Sequence, residues 1–143
     1  MGVHPLRKKE VAMIPTVLLF NVDADKGRRI KALCLSLKLR ARSVPVEDFP
    51  QSLDALLGLA PRKENPQPVE PFPQEMLVMA GLSPHQMNQL LQGFRRKKIP
   101  PVQLKAVLTA SNGSWNAAKL CQELSLEHQA MLRGERLHQE GAP

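Results

Sequence analysis

TVLLFNV, Thr16 to Val22, and EMLVMA, Glu75 to Ala80, are the two stretches on which the fold turns. Each is a short run of apolar residues with no polar alternation, the pattern of a strand covered on both faces. Each is followed by a helix signal. After the first run, Asp23 is placed to cap a helix in which Ile30, Leu33, Cys34 and Leu37 fall at i, i+3, i+4 and i+7, on one face. After the second, Gly81 turns the chain and Ser83-Pro84-His85-Gln86 matches a capping box with proline at the first helical position. Met87, Leu90, Leu91 and Phe94 then repeat the same helical spacing.

Working outward, each unit continues with a weaker strand and a further helix. Arg40 to Val46 is polar enough for an edge strand. Asp48 and Pro50 open a short helix carrying Leu53, Leu56 and Leu57, stopped by Gly58. In the second half Val102 to Thr109 is the fourth strand, and Ser114 is placed to cap a last helix with Ala117, Leu120, Cys121 and Leu124 inward and Met131 extending the stripe. The chain therefore reads as two βαβα halves, 14–58 and 75–132, with an internal duplication suspected. The expected fold is α/β: a small, mainly parallel four-stranded sheet in the order 2-1-3-4, helices on both faces. The rival is a ferredoxin-like α+β sheet, which leaves one face open.

Between the halves, 59–74 holds Pro61, Pro66, Pro68, Pro71 and Pro73. Proline removes backbone donors and holds its predecessor extended, so a mobile, partly polyproline-like linker is expected. Residues 1–13 read as a loose leader, with Met13 an alternative start, and 133–143 as a loose tail. A folded unit of about 14–132 is a single domain on size.

The chain has 143 residues, 20 Lys and Arg against 13 Asp and Glu, and 43% hydrophobic residues. Too much of it is apolar for wholesale disorder. No window approaches the ~18 apolar residues of a membrane span. Arg7, Lys8 and Lys9 are not followed by an apolar signal region, so the expected compartment is the cytoplasm, with Cys34 and Cys121 as free core thiols.

No catalytic constellation is found. His4, His85, His128 and His138 form no metal-ligand spacing, no phosphate-loop or nucleophile-elbow motif occurs, and no cofactor is implied. An enzyme would have to rest on Lys105 or Asp23. In a parallel sheet, ligands bind beyond the carboxyl ends of the strands where the order switches. Asn21, Gly81, Thr109, Asn112 and Trp115 are expected to gather there with Lys105, and the small, hydroxyl-rich turn TASNGS (Thr109 to Ser114) is the best anion candidate. Ser, Asn and Asp at these points are also ordinary helix caps. The expected function is a non-catalytic binding module for an anionic small molecule or a protein partner. The alternative is nucleic-acid binding through the clustered cations Arg28, Arg29, Arg95, Arg96, Lys97 and Lys98. Only 3% of residues are aromatic, which argues against base stacking.

The segment Leu104 to Glu123, LKAVLTASNGSWNAAKLCQE, resembles an uncharacterised bacterial family, domain of unknown function 3783. Lys105, Thr109, Asn112 and Trp115 match its pattern, and Ala110-Ser111 departs from it inside the turn. VLLFNVDADKGRRIKALC and EMLVMAGLS are also similar to it, so the resemblance covers about 14–128. It implies an α/β fold and a motif, and no activity, cofactor or catalytic residue.

Overall fold

A computed structural model describes the backbone of residues 13–140 and the side chains of residues 13–134. Four strands form one sheet: β1 (Thr16–Phe20), β2 (Arg40–Ser43), β3 (Met76–Ala80) and β4 (Leu104–Val107), in the order β2-β1-β3-β4. The strand order is the expected one, and the two apolar runs are central. The directions are mixed. β2 lies parallel to β1 and β4 parallel to β3, but the central pair is antiparallel, with Thr16 opposite Ala80 and Phe20 opposite Met76.

The helices are α1 (Ala24–Ser36), α2 (Leu53–Leu56), α3 (Pro84–Arg96) and α4 (Ala117–Glu140), with a 3-10 turn at Val46–Asp48. Strand alternation divides them between two faces. Val17, Leu19, Leu77 and Met79 point to one face, where Ile30 and Leu33 of α1 and Leu90 and Phe94 of α3 cover them. Leu18, Phe20, Met76 and Val78 point to the other, beneath Leu53 and Leu56 of α2 and Leu120 and Cys121 of α4. Covered on both faces, the sheet is not the ferredoxin-like alternative. Each fully buried Leu, Ile or Phe in these layers contributes about 1.5–3 kcal/mol of transfer free energy.

The halves repeat at a constant offset of 60 residues through their first strand and helix: Thr16 to Met76 and Phe20 to Ala80 for the strands, Ala24 to Pro84 and Ser36 to Arg96 for the helices. The backbone repeats with them. Asn21 and Gly81 share a positive φ of 61° and 77°, and Lys38 and Lys98 share one of 62° and 56°. Asp23 and Ser83 occupy the same N-cap, each accepting the N–H three residues on. An antiparallel pair centred on Leu18 and Val78 relates the two halves by a local two-fold.

Four local expectations change. The last helix is capped by Asn116, whose Oδ1 accepts the Lys119 N–H at 2.9 Å, and not by Ser114. The short helix begins at Leu53, capped by the Ser52 hydroxyl on the Ala55 N–H, with Asp48 in the separate 3-10 turn. α4 continues to Glu140, past the expected start of a loose tail at 133, and Met131 is 64% exposed where it was expected to extend the buried stripe. The rest of the leader and tail, 1–12 and 141–143, lies outside the described residues.

The proline segment is a fixed strap. The Gln51 side chain donates to the Lys63 carbonyl and accepts the Lys63 N–H, both at 2.8 Å. Arg62 pairs with Asp48 at 2.6 Å. At the far end the Asn21 amide donates to the carbonyls of Phe72 (2.7 Å) and Gln74 (3.0 Å). Phe72 stacks on Phe49 with ring centroids 5.3 Å apart. A chain without secondary structure thus has its ends held by side chains that satisfy part of its backbone.

Candidate binding surfaces

The antiparallel centre decides which candidate residues meet. Asn21 follows the carboxyl end of β1, Gly81 the carboxyl end of β3, and these ends lie at opposite edges of the sheet. The expected gathering of both at one switch point does not occur, because runs buried on both faces pack equally well in either direction. Asn21 holds the strap. At Gly81 an added Cβ would lie 2.6 Å from the Met13 Sδ, so this turn is closed by the chain itself.

Lys105, Thr109, Asn112 and Trp115 do come together. They line a groove of about 390 Å3 along the open edge of β4, with Leu120, Leu124, Glu123 and Glu127 of α4 opposite. Their bonding is largely internal. Asn112 is 8% exposed; its Oδ1 accepts the Thr109 N–H at 2.9 Å and its Nδ2 donates to the Val107 carbonyl at 3.1 Å. These are the outward-facing backbone groups of the edge strand, so the Asn112 amide stands where a fifth strand would pair. The Thr109 hydroxyl accepts the Asn112 N–H at 3.2 Å. Lys105 is exposed and donates to the Val102 carbonyl at 3.2 Å. Trp115 packs on the core, with the Lys119 ammonium 5.0 Å from its ring centroid. The same turn braces the first half: the carbonyls of Gly113 and Trp115 accept the N–H groups of Asp54 and Leu53. Lys105 shares this groove with Glu123, which pairs with Lys119 at 3.8 Å, and with Glu127, and Asn112 is committed to the backbone.

A different assembly emerges on the other face. α1 and α3 lie side by side and run in opposite directions. The Arg29 guanidinium, near the middle of α1, reaches the end of α3 and donates to the carbonyls of Lys97 (2.9 Å) and Lys98 (3.1 Å). That contact satisfies the carbonyls a helix end leaves open. It also brings the cluster Arg28 and Arg29 against the cluster Arg95, Arg96, Lys97 and Lys98, two groups nearly 70 residues apart in sequence. Between them a shallow groove of about 300 Å3 is lined by Arg29, Ser36, Leu33, Lys97 and Ile99.

The charges sort by layer. Across 23–38 and 83–99 stand nine Lys and Arg and only two carboxylates. Both carboxylates are committed, Asp23 to the Lys26 N–H and Asp25 to Arg28 at 3.0 Å. The opposite layer, 46–74 and 109–134, has seven carboxylates and four cations, while Glu75 reaches across to Lys26 of α1 at 2.7 Å. Sequence reading found both basic clusters but not their meeting; the signal was the constant 60-residue offset between the first strand and helix of each half.

Among the described residues there is no group of three or more metal-ligating side chains and no helix long and apolar enough to cross a membrane. Cys34 and Cys121 are free thiols buried in opposite layers. Burial pushes the Cys34 thiol up to about 11. It raises Cys121 too, against a smaller lowering by the Ser125 hydrogen bond.

Residues 75–131 match a family described as a domain of unknown function, DUF3783. The match spans β3, α3, β4 and α4 as far as Met131, one of the two halves, whereas the resemblance in sequence extends over both. It contains Lys105, Thr109, Asn112 and Trp115. No curated protein and no solved structure matches the chain significantly.

Proposed function

We propose that this protein is a non-catalytic binding module whose α1/α3 layer docks the phosphate backbone of a nucleic acid. The observation that carries the reading is the convergence of Arg28 and Arg29 with Arg95 to Lys98 on a layer whose two carboxylates are already bonded. Arg28 spends its charge on Asp25, so the attraction for phosphates rests mainly on Arg95 to Lys98, which enter no ion pair among the described residues and would release condensed counterions from a bound nucleic acid. The one aromatic residue on this layer, Phe94, is buried at 7% exposure, so base stacking has no platform and the binding is independent of sequence. A cytoplasmic location belongs to the same proposal, supported by two free thiols placed where they cannot pair.

Fluorescence anisotropy with a labelled nucleic-acid duplex, repeated across salt concentrations, tests this. The expected result is a log K that falls linearly with log salt. The double variant Arg95→Glu, Lys97→Glu should lose roughly two phosphate contacts, each worth about 0.9 of slope on DNA. Negligible binding at low salt, or an unchanged slope in the variant, refutes it, as does a clear preference for anionic vesicles over the duplex.

A protein partner at the β4 edge is the second reading. It is favoured by the outward backbone N–H groups of Lys105 and Val107, which lie on the side of β4 away from β3. Protection of these two amides from hydrogen exchange, growing with protein concentration, would show that edge pairing with another chain. Rapid exchange at every concentration would leave the edge solvent-facing.

A further inference from the structure

The strap does more than join the halves. Fixed at Gln51–Lys63 and Arg62–Asp48 on one side and at Asn21–Phe72 on the other, it arches between its anchors. Beneath the arch is a cavity of about 510 Å3, within the range of small-molecule sites. Its walls are mostly apolar. The stacked rings of Phe49 and Phe72 form the floor, prolines of the strap form the side, and Val46, 64% exposed, stands on the rim. Proline walls lose little freedom when a ligand enters, so the site is preorganised.

The cavity's charge is opposite to that of the molecule. The chain carries a net +7, yet the charged residues lining this cavity are Glu47 and Glu64 alone. Among the described residues neither enters an ion pair. Of the two cations that precede Glu64 in the chain, Arg62 is taken by Asp48 and Lys63 does not line the cavity.

We propose that this cavity binds a small organic cation with an apolar body, the ring or chain lying on Phe49 and Phe72 and the charged group between Glu47 and Glu64. Phe49 is 3% exposed and Phe72 only partly buried, so Phe72 is the ring whose π-face adds to the attraction for a cation. The site lies on the layer opposite α1 and α3 and is independent of the nucleic-acid reading.

Titration of the full chain with phenethylamine, followed by amide chemical shifts, is the direct test, with phenylacetate and 2-phenylethanol as anionic and neutral probes of the same size. Phenethylamine should give saturable shifts at Val46, Phe49, Val69 and Phe72. Phenylacetate should bind at least about tenfold more weakly, a difference of the size expected for reversing one partner of two surface charge pairs. The double variant Glu47→Gln, Glu64→Gln changes only exposed side chains and should keep the fold while weakening phenethylamine about fivefold. Equal binding of the neutral or anionic probe overturns the proposal, as does an unchanged affinity in the double variant. So does the absence of any saturable shift up to about 10 mM, a concentration that would reveal even millimolar affinity.

Discussion

Asn112 shows how a residue that reads as a ligand contact can serve the backbone instead. Its amide closes the free end of an edge strand with both of its hydrogen-bonding faces, in a position only 8% exposed. Replacement by Ala removes two hydrogen bonds to outward-facing backbone groups of the edge strand, each worth about 1 kcal/mol net, so Asn112→Ala should cost about 2 kcal/mol in urea unfolding. A loss near zero would return the residue to the list of ligand contacts. Gly93 is the second such position. A Cβ there would lie 2.6 Å from Leu33 Cδ1, at the contact between α3 and α1. Gly93→Ala should destabilise by about 1–3 kcal/mol through overpacking, outweighing the gain in helix propensity. Cys34 gives a pH prediction. The unfolded thiol ionises near its ordinary value, whereas burial holds the folded one protonated to about 11. Between these values the unfolded chain has released a proton that the fold retains. Stability is therefore complete below the ordinary thiol range and falls as pH rises toward 11. The fall should be shallower in Cys34→Ala, measured by chemical unfolding along a pH series.

At the scale of elements, the strands and the two long helices were legible. Continuous apolar runs marked β1 and β3, and the i, i+3, i+4 stripes with Asp23 and Ser83 at their heads marked α1 and α3. Strand order was legible as well, since the most apolar strands belong at the centre. The direction of the central pair was not. A run buried on both faces has no polar side to distinguish parallel from antiparallel packing, and that one choice separated Asn21 from Gly81. The strap was hidden for another reason. Its anchors are long-range contacts of Gln51 and Asn21, residues whose own neighbourhoods hold no periodic signal. Gln51 is buried at 4% exposure and bonded twice to Lys63. Gln51→Ala should release that end of the strap, accelerating proteolytic cleavage within 59–74 while the sheet amides keep their hydrogen-exchange protection. Unchanged cleavage would mean that Arg62 and Phe72 suffice.

For the whole molecule, the antiparallel centre has two consequences. It makes each half depend on the other. β3 is apolar on both faces and pairs with β1 along one side, so residues 73–134 alone would expose that side. Expressed alone, this half should be a dimer or an aggregate by light scattering, and a soluble monomer would contradict the two-fold arrangement. The same centre sets α1 and α3 in opposite directions, which joins two distant basic clusters into one surface and leaves the carboxylates largely on the opposite layer. That charged layer is the basis of the functional reading, and mapping its contacts is the most direct test. In an amide chemical-shift titration with a mixed-sequence duplex, perturbations should concentrate on Arg28 to Lys31 and Gln92 to Ile99. Perturbations confined to the strap or to the β4 edge, or none at low salt, would contradict the account.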